Sequence, residues 1–232
     1  MRRATRIVAG MAVLALLTGA NDPNNPTCPA TPDWGPAARM TLTTREQGDM
    51  HILVAEGIID DTLPDRLKRA LDGDDKIGEI WIRSRGGDAR AGNLAGKVIR
   101  SFPGMVTRIP AGWTCFSACN FLFMGGAIRH IDQGGLFIVH MFTFTSDPNV
   151  RRQVAQGQQD STIGVIADVE QGSAMLASED NDFLIRMGVS RTLLSEVMYK
   201  QQAVGTDENP TTRYCLTQDE MVKYGVTNGE VE

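Results

Sequence analysis

The stretch EIWIRSRGG, residues 79–87, indicates the fold because a buried strand runs into a glycine turn and then a helix. Glu79 to Ser84 is rich in β-branched and aromatic residues, and Gly86-Gly87 ends the run. Apolar side chains then recur at helical spacing on a predicted buried face that comprises Ala91, Leu94, Ala95, Val98 and Ile99. With a further strand at Met105 to Pro110, this is the βαβ rhythm of an α/β fold.

The alternation of strands and helices continues on both sides of residues 79–110. Upstream, we predict a strand around His51 to Ala55 and a helix over Leu63 to Leu71. Downstream, a short apolar helix starts near Ser117, and a strand follows from Leu136 to His140. The candidate reactive groups therefore fall at element ends, where α/β folds present them to a crevice. We predict one α/β domain over residues 40–232.

The C-terminal third is polar and prone to form helices. We predict helices over Gln153 to Leu176 and Ser190 to Lys200, with a break near Met187-Gly188. Thr217 and Glu220 have the spacing of a capping box, so a last helix should begin there. The first of these helices would either cover its own core or serve as a handle for a homo-oligomer.

The N-terminus is typical of an exported protein. Residues 1–20 combine three early arginines, an apolar run from Ile7 to Leu17 and small residues at Thr18 to Ala20, as in a cleaved signal peptide. The apolar run is shorter than the roughly 20 residues of a spanning helix, and no second membrane candidate follows. Residues 21–39 are rich in proline and polar residues, which predicts an arm or linker without packed elements. We therefore expect a periplasmic or secreted protein.

The charge of the mature chain argues against nucleic acid as a partner. Removal of the signal leaves twenty basic side chains against 28 acidic ones. No basic stripe with interleaved aromatic residues is present, and such a stripe is the usual footprint of a nucleic-acid site.

Ser117 lies in Cys-Phe-Ser-Ala-Cys, residues 115–119, at the predicted start of a helix. A serine there is a candidate nucleophile, because the helix N-terminus favours developing negative charge and the N–H of Ala118 becomes a candidate oxyanion donor. The alternative is that Ser117 only caps the helix. Of three histidines, His140 is best placed as a general base, since it ends an apolar strand.

Gly86 and Gly87 allow the backbone to approach a substrate and to direct an amide toward it. A plain turn is the alternative. The segment does not match the G-x-G-x-x-G spacing of a dinucleotide site, and we predict neither a cofactor nor a metal.

These residues resemble the ClpP peptidases of the ClpP/crotonase superfamily in their order and spacing. Ser84 to Gly87 is similar to that family's Ser-x-Gly-Gly, and His140 is similar to its histidine. Gly112 precedes Ser117 by five residues, where the family's Gly-x-x-x-Ser has four. The stretch from Leu216 to Gly225 resembles its closing Leu-Thr-x-x-Glu-x-x-x-x-Gly.

The resemblance spans about Met50 to Asn228 and implies a ClpP/crotonase-like spiral of ββα units. It also implies a peptidase with Ser117 as nucleophile, His140 as base, and amides near Gly86, Gly87 and Ala118 as the oxyanion hole. It provides no match for the catalytic aspartate, because Thr212-Arg213-Tyr214 stands in that place. Asp207, in the preceding loop, is our candidate, and a Ser-His dyad is the alternative.

The predicted export separates this chain from cytosolic members that work with an unfolding ATPase, so we expect no ATPase partner. We expect a peptide or other acyl substrate. Two other classes stay open, a catalytically silent binding protein with the same crevice and a crotonase-like thioester enzyme.

Four cysteines, an even number in an exported chain, predict disulfides. Three complete pairings exist, and one of them joins Cys115 to Cys119 and Cys28 to Cys215. A cysteine nucleophile at Cys115 or Cys119, or a zinc site there, is the alternative.

Overall fold

The computed structural model describes residues 21–23, 25–140, 148–156, 159–200 and 213–229. The predicted signal peptide and Asp207 lie outside these ranges. Within them, no helix is both long and apolar enough to cross a bilayer.

Ten strands occur in the described residues. They are β1 (Asn21–Asp22), β2 (Asn25–Pro29), β3 (Thr41–Gln47), β4 (Met50–Glu56), β5 (Ile77–Arg83), β6 (Val106–Ile109), β7 (Thr114–Phe116), β8 (Ile128–Ile131), β9 (Leu136–His140) and β10 (Arg213–Cys215).

Seven helices occur in the same part of the chain. They are α1 (Leu63–Asp72), α2 (Ala89–Arg100), α3 (Ala118–Met124), α4 (Pro148–Gln156), α5 (Gln159–Met187), α6 (Thr192–Lys200) and α7 (Gln218–Lys223). The predicted capping box opens α7, where the Thr217 side chain accepts from the Glu220 amide and the Glu220 carboxylate accepts from the Thr217 amide.

The larger sheet has the order β3-β4-β5-β6-β8, with β4, β5, β6 and β8 parallel and β3 antiparallel at one edge. A second sheet has the order β10-β9-β7, with β7 and β9 parallel. The segment β6-β7-α3 places one strand in each sheet, and β8 and β9 repeat this division. The predicted α/β class, built from ββα units, is confirmed.

The core lies between the larger sheet and helices α1 to α3. Ile80 and Ile82 of β5 are fully buried in this core, as are Ala95 and Ile99 of α2. Leu94 was predicted to share this face, and that prediction is wrong, because its side chain is 53% exposed.

Glycines explain the error at Leu94. A Cβ at Gly96 would collide with the carbonyl of Phe121, and one at Gly125 would collide with the carbonyl of Gly96. Helix α3 therefore approaches α2 over glycines, and a pattern of apolar side chains does not register that contact.

The N-terminal arm contains a packed strand, which differs from the expected linker. Asn25 and Cys28 of β2 are buried, and Cys28 forms a disulfide with Cys215 of β10. The Cys215 amide donates to Thr27 Oγ1 at 3.0 Å. β2 pairs with β1 in a two-stranded antiparallel sheet, and the disulfide and a side-chain hydrogen bond hold it against β10.

Candidate active site

Ser117 and His140 lie side by side because parallel strands position them. Phe116, the last residue of β7, pairs with Ile138 of β9, so the two strands end at the same edge of the second sheet. Ser117 follows β7 and His140 completes β9. Ser117 Oγ lies 2.7 Å from His140 Nε2, within hydrogen-bond distance. This is the contact that a general base needs with its nucleophile.

The backbone of Ser117 has φ of 60° and ψ of −125°. It is the one residue other than glycine with positive φ in the described part of the chain. Such a conformation costs about 1–3 kcal/mol and persists only where the surroundings enforce it. The Ser117 hydroxyl makes no capping hydrogen bond to α3, so the interpretation of this side chain as a helix cap is wrong.

A disulfide spans this strained turn. Cys115 and Cys119 are bonded, with Cα atoms 5.3 Å apart, and both side chains are fully buried. Together with Cys28–Cys215, this is the pairing considered above, and none of the four cysteines is free. The alternatives of a cysteine nucleophile and of a cysteine zinc site are therefore wrong. No group of three or more potential ligands for a metal occurs among the described residues.

The three predicted oxyanion residues have different surroundings, with Gly86 and Ala118 next to Ser117 and Gly87 against the backbone of Ile59. The Gly86 amide donates to Ser84 Oγ at 3.0 Å, so it is occupied. The amides of Gly87 and Ala118 have no acceptor within the described residues. A Cβ on Gly86 would lie 2.7 Å from the Phe116 carbonyl oxygen and 2.8 Å from Ser117 Cβ. Gly86 thus provides space beside Ser117, whereas Gly87 and Ala118 have amides to offer.

Aromatic rings cover one side of His140. The centroid of the Phe116 ring lies 4.6 Å from that of the imidazole, and the Trp34 centroid lies 5.4 Å from that of Phe116. Arg213 is the cross-strand partner of His140 and places its guanidinium 5.2 Å from the Trp34 ring. Trp34 of the N-terminal arm thus packs on the ring that contacts the imidazole, a contribution that composition alone does not reveal.

Asn120 links the two strands' reactive ends, and sequence reasoning missed it. Its Nδ2 donates to the Ile138 carbonyl at 2.8 Å, and its backbone amide donates to the Ser117 carbonyl at 2.9 Å. The side chain is buried. One residue thus ties the turn at Ser117 to the strand that carries His140.

A cavity of about 690 Å³ opens beside Ser117 and His140. Its walls are mainly apolar and come from α3, β9, α5 and α6. The apolar lining comprises Phe121, Met124, Phe137, Val139, Leu176, Leu184, Leu193, Leu194 and Val197. A site with one reactive pair and an apolar wall is suited to an acyl group with a sizeable apolar portion.

Asp180 is an acid in this apolar lining, and no sequence motif pointed to it. Burial raises its pKa to about 6, with Glu179 adding to the rise, while Asn93 and Lys97 oppose it. Asp207, the acid that we predicted as the third catalytic residue, lies outside the described residues.

Comparisons with known proteins give distant likenesses to solved structures. No protein-family profile matches the chain, and no curated protein matches its sequence. DspI from Pseudomonas aeruginosa is 16% identical with a TM-score of 0.35 over 42% of this chain and 52% of its own, so the chain spans about half of its length. A mutant of ClpP1 from Listeria monocytogenes is 14% identical with a TM-score of 0.47, over 78% of this chain and 91% of its own.

A putative polyketide biosynthesis enoyl-CoA hydratase from Bacillus subtilis is 11% identical with a TM-score of 0.46, covering 82% of this chain and 70% of its own. At these identities and TM-scores the likenesses assign no reaction. The reaction has to be argued from the chain's own Ser117-His140 pair.

Proposed function

We propose that the protein is a serine hydrolase that cleaves a peptide or another acyl substrate. The observation that carries this proposal is the 2.7 Å contact between Ser117 Oγ and His140 Nε2 at the wall of an apolar cavity. The strained backbone of Ser117 supports it, because strain at a single residue is typical of functional sites. The amides of Gly87 and Ala118 support it as well, because neither has an acceptor within the described residues.

In the proposed reaction, Ser117 Oγ attacks the carbonyl carbon of the substrate while its proton moves to His140 Nε2. The bond from that carbon to the leaving nitrogen or oxygen then breaks, and the leaving group takes the proton from His140. A water molecule attacks the resulting ester and gives a proton to His140. The acid product departs, and Ser117 Oγ recovers its proton from the imidazole.

The amides of Gly87 and Ala118 would bind the oxyanion that forms in each attack. Within the described residues, neither amide donates a hydrogen bond, so both can bind a substrate oxygen. Preorganised donors of this kind are worth about 100 to 1,000-fold in rate each. The Ala118 amide directly follows the nucleophile, and Gly87 is the residue after Gly86, which packs against Ser117.

The two disulfides are typical of proteins in oxidising compartments, and we propose that this hydrolase works in the periplasm or after secretion. Its work there would require no ATPase partner. A homo-oligomer stays a prediction from the sequence.

Covalent labelling tests the proposed function. A fluorophosphonate probe should add one adduct to the folded wild type by intact mass, and none to Ser117→Ala. His140→Gln should slow labelling by at least about 100-fold, because the base is lost. Ser178→Ala is the matched control, since Ser178 is exposed and its hydroxyl bonds only to the Ala174 carbonyl within the described residues.

An unlabelled wild type, or an undiminished adduct in Ser117→Ala, would contradict the hydrolase. The first result would favour the alternative, a binding protein that keeps the cavity without the chemistry.

A further inference from the structure

Asp180 belongs to the wall of the cavity that contains the reactive pair. Helix α5 lines the cavity with Ala177, Asp180, Asn181 and Leu184, which share one helical face. The Asp180 side chain is half-buried. A carboxyl group therefore faces the same space as Ser117 Oγ and the apolar lining.

The charged groups around Asp180 leave its carboxylate without an ion pair in the described residues. Lys97 of α2 attracts it but does not come within salt-bridge distance. Glu179, its chain neighbour, repels it and pairs with Arg90 at 3.6 Å. The one hydrogen bond to the Asp180 carboxyl, from Asn93 Nδ2, is long at 3.5 Å.

Two further titratable or charged side chains line the cavity. His140 contacts Ser117 and acts in the proposed reaction. Arg191 lies at the start of α6 and is exposed. Neither contributes to the shifted pKa of Asp180, which burial dominates.

A carboxylate among apolar side chains is unfavourable unless an opposite charge joins it. With a pKa of about 6, Asp180 is largely ionised at neutral pH despite that cost. A cation that enters the cavity would offset the cost of burying this carboxylate. An aliphatic stem could lie along the leucines and phenylalanines while its charged end meets the acid, as long basic side chains do elsewhere.

We infer that Asp180 is a specificity-determining residue that binds a positively charged group on the acyl portion of the substrate, such as the amine of a lysine side chain. This inference rests on the proposed hydrolase. It deepens that proposal by naming a substrate class, acyl groups that carry an amine or guanidinium at the end of an aliphatic stem.

Matched esters test the inference. The 4-nitrophenyl esters of N-acetyl-lysine and N-acetyl-norleucine share a four-carbon stem, and only the first has the amine. We expect the lysine ester to have kcat/KM at least about tenfold higher at pH 7.5, which corresponds to one good charged contact. Asp180→Asn should abolish the preference, mainly through KM, and leave the norleucine ester within about threefold.

The preference for lysine should also grow as the pH rises from 5 to 7, because the carboxylate must be ionised to attract the amine. Asp182→Asn is the matched control. Asp182 lies on the same helix, is exposed and pairs with Arg186 at 2.9 Å, so its loss should leave the preference unchanged.

Two results would overturn the inference while leaving the hydrolase intact. One is equal hydrolysis of both esters by a protein that still takes up the fluorophosphonate at Ser117. The other is an equal loss of both activities in Asp180→Asn, which would make Asp180 a positioning residue.

A binding measurement tests whether Asp180 binds a cation even if the protein is not a hydrolase. Hexylammonium should raise the melting temperature of Ser117→Ala more than hexanol does, and Asp180→Asn on that background should remove the difference. An equal effect of the amine and the alcohol would contradict the inference whatever the fate of the hydrolase.

Discussion

Gly86 shows how one missing Cβ can set the position of a nucleophile. Its backbone has φ of 89°, and a Cβ there would press against Ser117 Cβ and the Phe116 carbonyl oxygen. The sequence motif suggested an amide donor at this residue. The structure instead occupies that amide with Ser84 Oγ, so the glycine matters through the space that it leaves.

We predict that Gly86→Ala slows fluorophosphonate labelling by about 100-fold or more, because a displacement near 1 Å at a reacting group is enough for such a loss. Gly104→Ala is the control. Gly104 also has a positive φ, 75°, but a Cβ there meets nothing within 4 Å. It should lose a little stability and label at the wild-type rate. Equal labelling of the two variants would contradict the steric role of Gly86.

At the scale of elements, the two disulfides have separable effects. Cys115–Cys119 joins β7 to the first turn of α3 across a sequence separation of 4, whereas Cys28–Cys215 joins β2 to β10 across 187. The chain-entropy estimate is about 2 kcal/mol for the short loop and up to about 5 kcal/mol for the long one. The short bridge flanks the nucleophile, and the long bridge is part of the arm.

Replacing Cys115 and Cys119 by alanine should therefore slow labelling of Ser117 at least about tenfold, because the turn is no longer held in its strained conformation. Replacing Cys28 and Cys215 should cost more free energy of unfolding and change labelling less. Urea unfolding and labelling rates, measured on both double variants, check this. A larger loss of labelling in the Cys28 and Cys215 variant would overturn the assignment of roles.

Helix α5 carries a stability cost at Asp180 that depends on pH. The folded-state pKa is about 6 and the unfolded value is 3.8, so between these pH values the folded protein binds more protons than the unfolded chain. Stability therefore falls as the pH rises through this window, and the cost is complete above pH 6. It is absent below the unfolded value.

Asp180→Asn should consequently stabilise the protein at pH 7 by about 1–2 kcal/mol, after an allowance for solvent screening, and change little at pH 4. Urea unfolding at the two pH values measures the difference. Asp182→Asn should stay within about 0.5 kcal/mol at both, as a change at an exposed site usually does. A gain for Asp180→Asn that is equal at pH 4 and pH 7 would contradict the titration of Asp180 as its cause.

Across the whole molecule, regular apolar patterns predicted the fold well, and contacts distant in sequence were beyond them. The strand Leu136–His140 and the capping box at Thr217 were predicted at their observed positions. Strand β3, with the sequence TLTTREQ, was missed because its side chains are mostly exposed and polar. Its order comes from pairing with β4, which no local pattern shows.

The residues of the site also differ in how far the sequence could predict them. Ser117 and His140 are recognisable from the ends of elements, whereas Asp180 reaches the cavity only because α5 packs across α3. Phe121 and Phe183, with ring centroids 5.2 Å apart, make that contact. A residue whose role depends on helix packing has no signature in its own segment.

The bond between Cys28 and Cys215 turns most of the chain into a covalent ring. A ring cannot pass as a single extended thread through a narrow pore, so a chain that leaves the cell unfolded must do so before this bond forms. If the protein is exported unfolded, in line with the proposed location, the ring can close only after Cys215 has crossed the membrane. The packing of Trp34 against Phe116, the ring beside His140, would then be among the last contacts of the site to form.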